Sequence, residues 1–507
     1  MGIIHNCGVA GVFLKKSLSY YPSGGAAYYL HLMLEQMQNR GQLSGGIVVY
    51  CGNGAGLKRH VGVGLVDQVF RVKERNAYCS LMNSFASSSG IGHVRYATSG
   101  NGIEDRLILE EAQPFLRAHG RSWKEFAIAF NGNLTNDGAL REELIKLHSY
   151  NIKTSVDTEV IMHFIAIDLK SISEKNKPDL SELVKRTASR FDGAFNIALV
   201  NGEGELIAFR DRHGFRPLVY GENEDLVAIA SESLALEKVG IRKFRDVRVG
   251  GYVIVNKCGV KNGVYLDARN SHCMFEWVYF SLAPSLFEGI SVDLVRERLG
   301  IELARNEPLK DNLNNDYIVV PVPDTSIPIA QAMSEKLGLR FVQAIYKNAS
   351  FGRGFINKEF ERERIIRGKY TVIRRKVEGK KLIVVEDSVV RGETFSDLGQ
   401  YLWENGPLEI HLRSACPPIR YPCFYGIDFP NPRELIATGT ANIEEAEKNV
   451  VKKMDITTMK YLTIDGLVRA IGLPEDKLCL ACLNKVYPTK GGREKFHKLA
   501  INGVFSA

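Results

Sequence analysis

Two adjacent acids at the end of an apolar run could bind a sugar phosphate. The segment KLIVVEDSVVRGETFSDL predicts a strand from Leu382 to Val385, then Glu386 and Asp387, a glycine-containing turn and a helix beginning near Thr394. The backbone N–H groups of such a turn, with a helix N-terminus behind them, can bind a terminal phosphate. Two acids at the C-terminal end of a strand can bind vicinal hydroxyls or a hydrated magnesium ion. A solvated acidic turn is the usual alternative, but strand, acids, turn and helix occur together in order, which favours a ribose 5-phosphate site.

The cysteines are the second group of residues that could do chemistry. Cys479 and Cys482 form a CLAC pair, and a CxxC pair alone could be redox-active, zinc-binding or accidental. With Cys273 and Cys423 the pair makes four thiols, a set that suits a 4Fe–4S cluster or a structural zinc ion. Any one cysteine, Cys7 included, is on its own more often a small buried hydrophobe than a nucleophile.

The elements that must position these residues follow two different patterns. The first 250 or so residues carry short β-rich runs punctuated by Gly and Asn, with helical stretches between some of them, which predicts an α+β domain. From about residue 265, strands alternate with helices, as in DYIVVPVP, PIAQAMSEKLGL and KLIVVEDS, which predicts a parallel α/β sheet. We expect the polar segment 256–270 to join the two domains, and a helical appendage that contains the cysteine pair to end the chain.

Length and composition set the outer limits. A chain of 507 residues, 45% hydrophobic and 24% charged, is too long for a single core. No stretch reaches the roughly 18 apolar residues of a membrane span, and the N-terminus lacks a signal-peptide pattern, so we expect a cytoplasmic protein with no membrane partner. Nine cysteines, an odd number, argue against a disulfide framework. The net charge of +8 suits a phosphorylated small substrate as readily as nucleic acid, and no aromatic-basic interleaving supports nucleic acid.

The acidic segment resembles the loop with which type I phosphoribosyltransferases bind phosphoribosyl pyrophosphate (PRPP). The resemblance implies that the acids bind the ribose hydroxyls, that the turn binds the 5-phosphate, and that magnesium lies on the pyrophosphate. PVPDTS at 321–326 resembles the pyrophosphate loop, and IYKNASFGRGFI at 345–356 resembles the loop that closes over PRPP. The implied PRPP-binding residues are Lys347, Arg353, Glu386, Asp387, Ser388, Arg391, Gly392 and Thr394. The implied magnesium ligands are Thr325, Glu386 and Asp387.

The N-terminal half resembles the class II glutamine amidotransferases, which use an N-terminal nucleophile. The motifs that carry this resemblance occur in the family's order: CGVAG at Cys7, NRGQ at 39–42, GHVRYATSG at 92–100, AQPF at 112–115, FNGNLTN at 130–136 and SVDTEV at 155–160. Together with the C-terminal half, they make the chain similar to amidophosphoribosyltransferases over nearly its whole length. The resemblance implies an αββα sandwich over 7–255 and a phosphoribosyltransferase domain over 265–507.

The same resemblance implies a role for each glutaminase residue. Cys7 would attack the glutamine amide with its own α-amine as base, which requires removal of residues 1–6, MGIIHN, as a propeptide. Arg95 would pair with the α-carboxylate of glutamine and Asp157 with its α-ammonium. Asn131 and Gly132 would supply the oxyanion donors.

The four cysteines of the C-terminal half match the iron–sulfur branch of the family, so we favour a 4Fe–4S cluster over zinc. The remaining cysteines, Cys51, Cys79, Cys258 and Cys416, match no motif and are interpreted as structural. The family also implies purine nucleotide inhibitors and a homotetramer.

Two other functions are considered. RGET at 391–394 places Glu393 where the family has Thr, beside the expected 5-phosphate, and YFSLAPS at 279–285 lacks the family's Arg and Asp. These departures would suit a divergent paralogue that binds PRPP or nucleotide without catalysis. A class II amidotransferase with another acceptor would have no use for EDSVVRG, which weighs against that alternative.

Overall fold

The computed structural model describes residues 7–52, 56–96, 105–173, 177–348, 368–427, 429 and 431–501. The first half contains two antiparallel sheets. The seven-stranded sheet has the order β11 (Phe244–Asp246), β9 (Val219–Glu222), β10 (Leu226–Ala230), β1 (Gly8–Leu14), β4 (Ser89–Arg95), β2 (Ser44–Tyr50) and β3 (Leu57–Val63). The six-stranded sheet has the order β13 (Gly259–Val264), β12 (Gly251–Asn256), β8 (Leu206–Arg210), β7 (Gly193–Asn201), β6 (Phe126–Leu134) and β5 (Phe115–Arg117).

Helices cover the outer faces of both sheets. The helices of this half are α1 (Ala26–Gln36), α2 (Val66–Val69), α3 (Arg75–Ser84), α4 (Asp105–Glu110), α5 (Asp137–His148), α6 (Asp157–Ile172), α7 (Leu180–Ala188) and α8 (Ser233–Lys238). One core lies between α1 and the seven-stranded sheet, and another between α6 and the six-stranded sheet. The predicted αββα sandwich is therefore confirmed.

The period-two pattern of the strands explains the layering. In β1, Val9 packs into the core between the two sheets, whereas Ala10 and Val12 pack into the core beneath α1. Small side chains such as Ala129 and Ala198 line the space between the sheets, which lets the two sheets approach closely.

The second half is built on a five-stranded parallel sheet with the order β18 (Arg340–Phe341), β17 (Tyr317–Pro321), β21 (Lys381–Glu386), β22 (Glu409–Ser414) and β23 (Thr458–Tyr461). Its helices are α9 (Val292–Arg305), α10 (Ile327–Leu337), α11 (Arg374–Val377), α12 (Glu393–Trp403), α13 (Ile443–Met454), α14 (Ile464–Ile471), α15 (Ala481–Asn484) and α16 (Lys490–Ile501). In β21, Leu382 packs on one face and Ile383 on the other, so both faces of the sheet are buried. The predicted α/β domain is confirmed.

Three short strand pairs and a single-turn π-helix complete this half. The pairs are β14 (His272–Cys273) with β24 (Leu478–Cys479), β15 (Leu286–Phe287) with β16 (Ile290–Ser291), and β19 (Ile345–Lys347) with β20 (Tyr370–Val372). The π-helix spans Glu276–Phe280. Strand β13 occupies part of the segment 256–270 that we expected to join the domains. It pairs with β12 and so belongs to the six-stranded sheet of the first half. Among the described residues, no helix has the length and apolar character that crossing a bilayer requires.

Candidate active site

A cavity of about 440 Å³ lies at the C-terminal ends of the adjacent parallel strands β17 and β21. Predicted PRPP-binding and magnesium-binding residues line it together: Thr325, Lys347, Glu386, Asp387, Ser388, Arg391 and Gly392. Arg353 lies outside the described residues, as does the side chain of Thr394. Motifs separated by some 60 residues in the sequence therefore meet at one edge of the sheet.

The two acids of the cavity share one electrostatic environment. Burial and the neighbouring Asp387 carboxylate raise the pKa of Glu386 well above its ordinary value. Burial raises the pKa of Asp387 to about 6, against a hydrogen bond of 2.8 Å from Ser388 Oγ and the positive charge of Arg296. Two adjacent carboxylates resist simultaneous ionisation, so a cation or a set of hydroxyl donors would stabilise both.

Backbone geometry fixes the turn that follows these acids. Gly392 has φ +77°, and a Cβ at this position would lie 2.8 Å from Ile436 Cδ1 and 2.9 Å from Met454 Cε. Arg391 Nε lies 2.8 Å from Glu434 Oε2, and Lys453 Nζ donates to the Arg391 carbonyl oxygen at 3.0 Å. The turn is therefore held in place at the N-terminus of α12, where backbone N–H groups favour an anion.

Two lysines provide positive charge at the cavity: Lys347 at the end of β19 and Lys369 just before its partner strand β20. Lys347 ends β19 and lies 3.1 Å from Asp324 Oδ2. Its register partner is Tyr370 of β20, and Tyr370 and Lys369 also line the cavity. Sequence reasoning missed Lys369 because it lies in no motif, and only the pairing of the two strands brings it to the cavity.

Cys7 lies buried at the start of β1 in the first half. Its backbone N–H donates to Asn131 Oδ1 at 3.3 Å, and its thiol accepts a hydrogen bond from the backbone of Tyr96. Burial raises the pKa of the thiol to about 11, although Arg95, Arg216 and Arg40 oppose the shift. The thiol is therefore neutral near pH 7 and needs a base to become a nucleophile.

Two predicted glutamine-binding side chains hold unused donors beside Cys7. Arg95 is buried and pairs with Glu111 through Nη2 at 2.6 Å. Within the described part of the chain, Arg95 Nε and Nη1 and Asn131 Nδ2 meet no hydrogen-bond acceptor. Buried donors without acceptors are costly, so these groups suit a ligand carboxylate and an oxyanion.

Gly132 and Asp157 complete the predicted glutamine set. A Cβ at Gly132 would lie 2.0 Å from the carbonyl oxygen of Ala194 on the neighbouring strand, so only glycine fits there. Asp157 begins α6 and accepts a hydrogen bond of 2.8 Å from the N–H of Leu134. Burial and the nearby Asp137 raise the pKa of Asp157 to about 7.

The four predicted metal-binding cysteines share one buried region. Cys273 and Cys479 are register partners in the parallel pair β14–β24. Burial raises the pKa of the Cys482 thiol, and Cys423, Cys479, Cys416 and Cys273 raise it further by like charge. The set thus fits a thiolate-ligated group by number and burial. No group of three or more His, Cys, Asp or Glu side chains among the described residues is arranged to hold a metal ion.

A buried ion network joins the two halves between their sites. Arg40 of NRGQ pairs with Glu232 at 2.6 Å and with Glu276 of the π-helix at 2.8 Å, and Arg216 pairs with Glu276 at 3.1 Å. Tyr96, whose backbone bonds the Cys7 thiol, lines the cavity that holds the acidic pair. Sequence reasoning named the NRGQ motif but assigned no role to Arg40 or its partners, because its contacts with Glu232 and Glu276 span 192 and 236 residues.

Comparisons with known proteins agree over nearly the whole chain. A family model described as a glutamine amidotransferase domain matches residues 103–238. An amidophosphoribosyltransferase of Methanothermobacter thermautotrophicus is 35% identical over 95% of this chain and 94% of its own length. That of Bacillus subtilis is 34% identical over 96% and 95%.

Solved structures give the same result. A glutamine PRPP amidotransferase from B. subtilis, complexed with ADP and GMP, superposes with a TM-score of 0.80 at 31% identity, covering 96% of this chain and 98% of its own. A structure described as the allosteric regulatory enzyme of purine biosynthesis has a TM-score of 0.80 at 32% identity and covers 96% of both chains.

Proposed function

This chain belongs to the amidophosphoribosyltransferase family, and from that membership we propose how its residues divide the reaction. Glutamine-derived ammonia displaces pyrophosphate from PRPP to give 5-phosphoribosylamine, the first step of purine biosynthesis. Cys7 releases the ammonia, and the cavity at Glu386 and Asp387 binds PRPP. The observation that carries this division is Tyr96, which contacts the thiol of one site and lines the cavity of the other.

Cleavage before Cys7 would supply the base that the thiol needs. In the uncleaved chain the Cys7 nitrogen is an amide N–H that donates to Asn131 Oδ1. A freed α-amine at the same place could take the thiol proton as the sulfur attacks the glutamine amide carbon. Asn131 Nδ2 and the Gly132 N–H would stabilise the oxyanion of the tetrahedral intermediate. Collapse of that intermediate releases ammonia, and water then hydrolyses the thioester to glutamate.

Arg95 and Asp157 would select glutamine by its charged ends. The unused guanidinium donors of Arg95 suit the α-carboxylate, and the Asp157 carboxylate suits the α-ammonium. Because the pKa of Asp157 is raised to about 7, its carboxylate is charged above that pH and neutral below it. Glutamine use should therefore weaken as the pH falls below neutrality.

In the second half, the ribose hydroxyls would bind Glu386 and Asp387, and the 5-phosphate would bind the turn Ser388–Gly392. Lys347, Arg353 and Thr394 would bind phosphate oxygens. Magnesium would be held by Thr325, Glu386 and Asp387, whose oxygen ligands it prefers, and when bound would neutralise charge on the leaving pyrophosphate. Closure around PRPP would exclude water from C1 before ammonia attacks.

We propose that Cys273, Cys423, Cys479 and Cys482 hold a 4Fe–4S cluster in preference to zinc. Cys423 and Cys479 are buried, and Cys273 and Cys482 are half-buried. Their packing in one cluster supports a shared group, which would link β14 to the C-terminal helices. Purine nucleotide inhibitors are proposed because the B. subtilis relative was solved with ADP and GMP. A homotetramer is proposed from the family alone. The cytoplasm is proposed as the compartment because the nine cysteines are unpaired.

The division of labour is tested with Cys7→Ala and Asp387→Asn. Cys7→Ala should abolish glutamine-dependent release of pyrophosphate while free ammonia still supports it. Asp387→Asn should reduce synthesis with either nitrogen donor by about 100-fold or more, because it removes a group that binds the ribose. Loss of both activities in Cys7→Ala, or intact synthesis in Asp387→Asn, would refute the proposal.

A further inference from the structure

The C-terminal helix α16 belongs to the second half but packs against the glutaminase half. The N–H of Gly491, in its first turn, donates to Asp192 Oδ2 at 2.6 Å. Thr489 Oγ1 lies 3.5 Å from Thr135 Oγ1, and a Cβ at Gly491 would lie 2.6 Å from that same Thr135 oxygen. The start of the helix is therefore in close contact with the strand end that follows Asn131 and Gly132.

One lysine of this helix reaches the backbone that holds Asp157. Lys495 Nζ lies 3.1 Å from Asp137 Oδ1 and donates to the carbonyl oxygen of Leu134 at 3.4 Å. The N–H of the same Leu134 donates to Asp157 Oδ2 at 2.8 Å. Lys495 thus contacts the carbonyl oxygen of Leu134, and Asp157 contacts the N–H of the same residue.

Charged groups of both signs surround Asp157. Asp157 is 8% exposed, and burial followed by the charge of Asp137 raises its pKa to about 7. The Leu134 N–H, Arg141 and Lys495, which belong to β6, α5 and α16, oppose that shift. Without Lys495, the charge of Asp137 would be countered mainly by Arg141, whose Nε lies 3.8 Å from it.

We propose that Lys495 is a positioning residue of the glutamine site, which keeps Asp157 anionic for the α-ammonium of the substrate. The inference rests on the role proposed above for Asp157. It makes the glutamine site depend on a helix of the other half, and that helix is the next one after α15, which contains Cys482. Glutamine binding would then report whether the C-terminal segment is docked.

The test measures KM for glutamine between pH 6 and 9, on the full-length protein carrying Lys495→Met. Because removing the Lys495 charge should raise the pKa of Asp157, KM should be about two- to threefold higher than in the unmodified protein near pH 6.5, the effect of a rise of about half a pKa unit. The difference should shrink above pH 8.5, where Asp157 is ionised in both proteins. Synthesis from free ammonia should be unchanged.

Matched variants separate the effect of the Lys495 charge from that of its side-chain packing. Lys495→Arg should restore the profile, and Lys490→Met on the exposed face of the same helix, where Lys490 faces Glu494 at 3.8 Å, should leave it unchanged. Asp137→Asn should shift the profile to lower pH, and this variant keeps the proposal testable if Lys495→Met does not fold. An unchanged profile in Lys495→Met or Asp137→Asn, or equal loss of ammonia-dependent synthesis, would overturn it.

Asp157→Asn distinguishes this inference from the proposed function. A raised glutamine KM in Asp157→Asn with an unchanged profile in Lys495→Met would reject only the role of Lys495. An unchanged KM in Asp157→Asn would reject the role of Asp157, and the inference about Lys495 with it.

Discussion

At the scale of single residues, the glutaminase half shows how one side chain can serve two atoms of the reaction. Asn131 Oδ1 accepts from the Cys7 nitrogen at 3.3 Å. Within the described residues its Nδ2 meets no acceptor. In the proposed mechanism, the Asn131 amide would position the freed α-amine through Oδ1 and donate to the oxyanion through Nδ2.

This arrangement predicts a specific effect of Asn131→Asp. A carboxylate can still accept from the Cys7 nitrogen but cannot donate to an oxyanion, so kcat with glutamine should fall by about 100-fold or more. KM for glutamine should change little, and synthesis from free ammonia should be retained. Steady-state kinetics with both nitrogen donors measure this, and an unchanged kcat with glutamine would exclude Asn131 as an oxyanion donor.

The motifs predicted which residues meet, but not the electrostatics of their meeting. Short sequence motifs around Cys7, Asn131 and Asp157 predicted these residues as part of the glutamine site, because the proposed chemistry demands those residue types. The raised pKa of Asp157 depends on burial and on Asp137 and Lys495, which are far apart in the sequence. Such a balance is fixed by tertiary packing and has no local signature.

At the scale of elements, the sequence located the strand and the helix of the proposed phosphate site to within a residue or two. The strand predicted over Leu382–Val385 is β21, Lys381–Glu386, and the helix predicted near Thr394 begins at Glu393. Local apolar runs and glycine turns specify such elements directly. The docking of the C-terminal helix on the first half was not predicted, because it depends on contacts across some 350 residues.

The turn between β21 and α12 predicts the outcome of Gly392→Ala. Its φ of +77° disfavours any Cβ, and the added carbon would lie 2.8 Å from Ile436 and 2.9 Å from Met454. We expect a loss of about 1–2 kcal/mol in stability and, because the turn must shift, PRPP binding weakened by about tenfold in calorimetry.

Gly379→Ala is the matched control for that turn. Gly379 has φ +66°, but a Cβ there would meet no atom of the described residues within 4 Å. It should lose stability for the same backbone reason while PRPP affinity stays unchanged. Equal PRPP affinity in both variants would show that the Gly392 turn does not hold the 5-phosphate.

At the scale of the whole molecule, the two halves share a buried set of charges. Arg40, Arg216 and Glu232 come from the first half, and their side chains are about 1% exposed. Glu276, fully buried in the π-helix, is the carboxylate that the second half contributes. Since the first half alone would bury two guanidinium groups against one carboxylate, Glu276 completes the charge balance at the junction.

This buried charge network lies next to both the Cys7 site and the cavity at Glu386 and Asp387. A Cβ at Gly8, next to Cys7, would lie 3.5 Å from Arg40 Cβ, and Gly41 packs against the backbone of Arg95. On the other side, Phe275 and Phe280, at the ends of the segment that carries Glu276, line the cavity that contains Glu386 and Asp387. A displaced Glu276 should therefore disturb both sites and the passage between them.

Glu276→Gln should accordingly lower stability by about 3–5 kcal/mol, because it leaves a buried guanidinium charge uncompensated. It should also uncouple the half-reactions, so that more glutamate is formed per pyrophosphate released. Glu307→Gln is the matched control, since Glu307 pairs with Arg413 at 2.7 Å, equally buried, within the second half. Chemical denaturation should show comparable losses of stability in the two variants, whereas the ratio of glutamate to pyrophosphate should rise only in Glu276→Gln. A ratio that stays unchanged, or rises equally in both variants, would mean that the charge network holds the halves together without coupling their reactions.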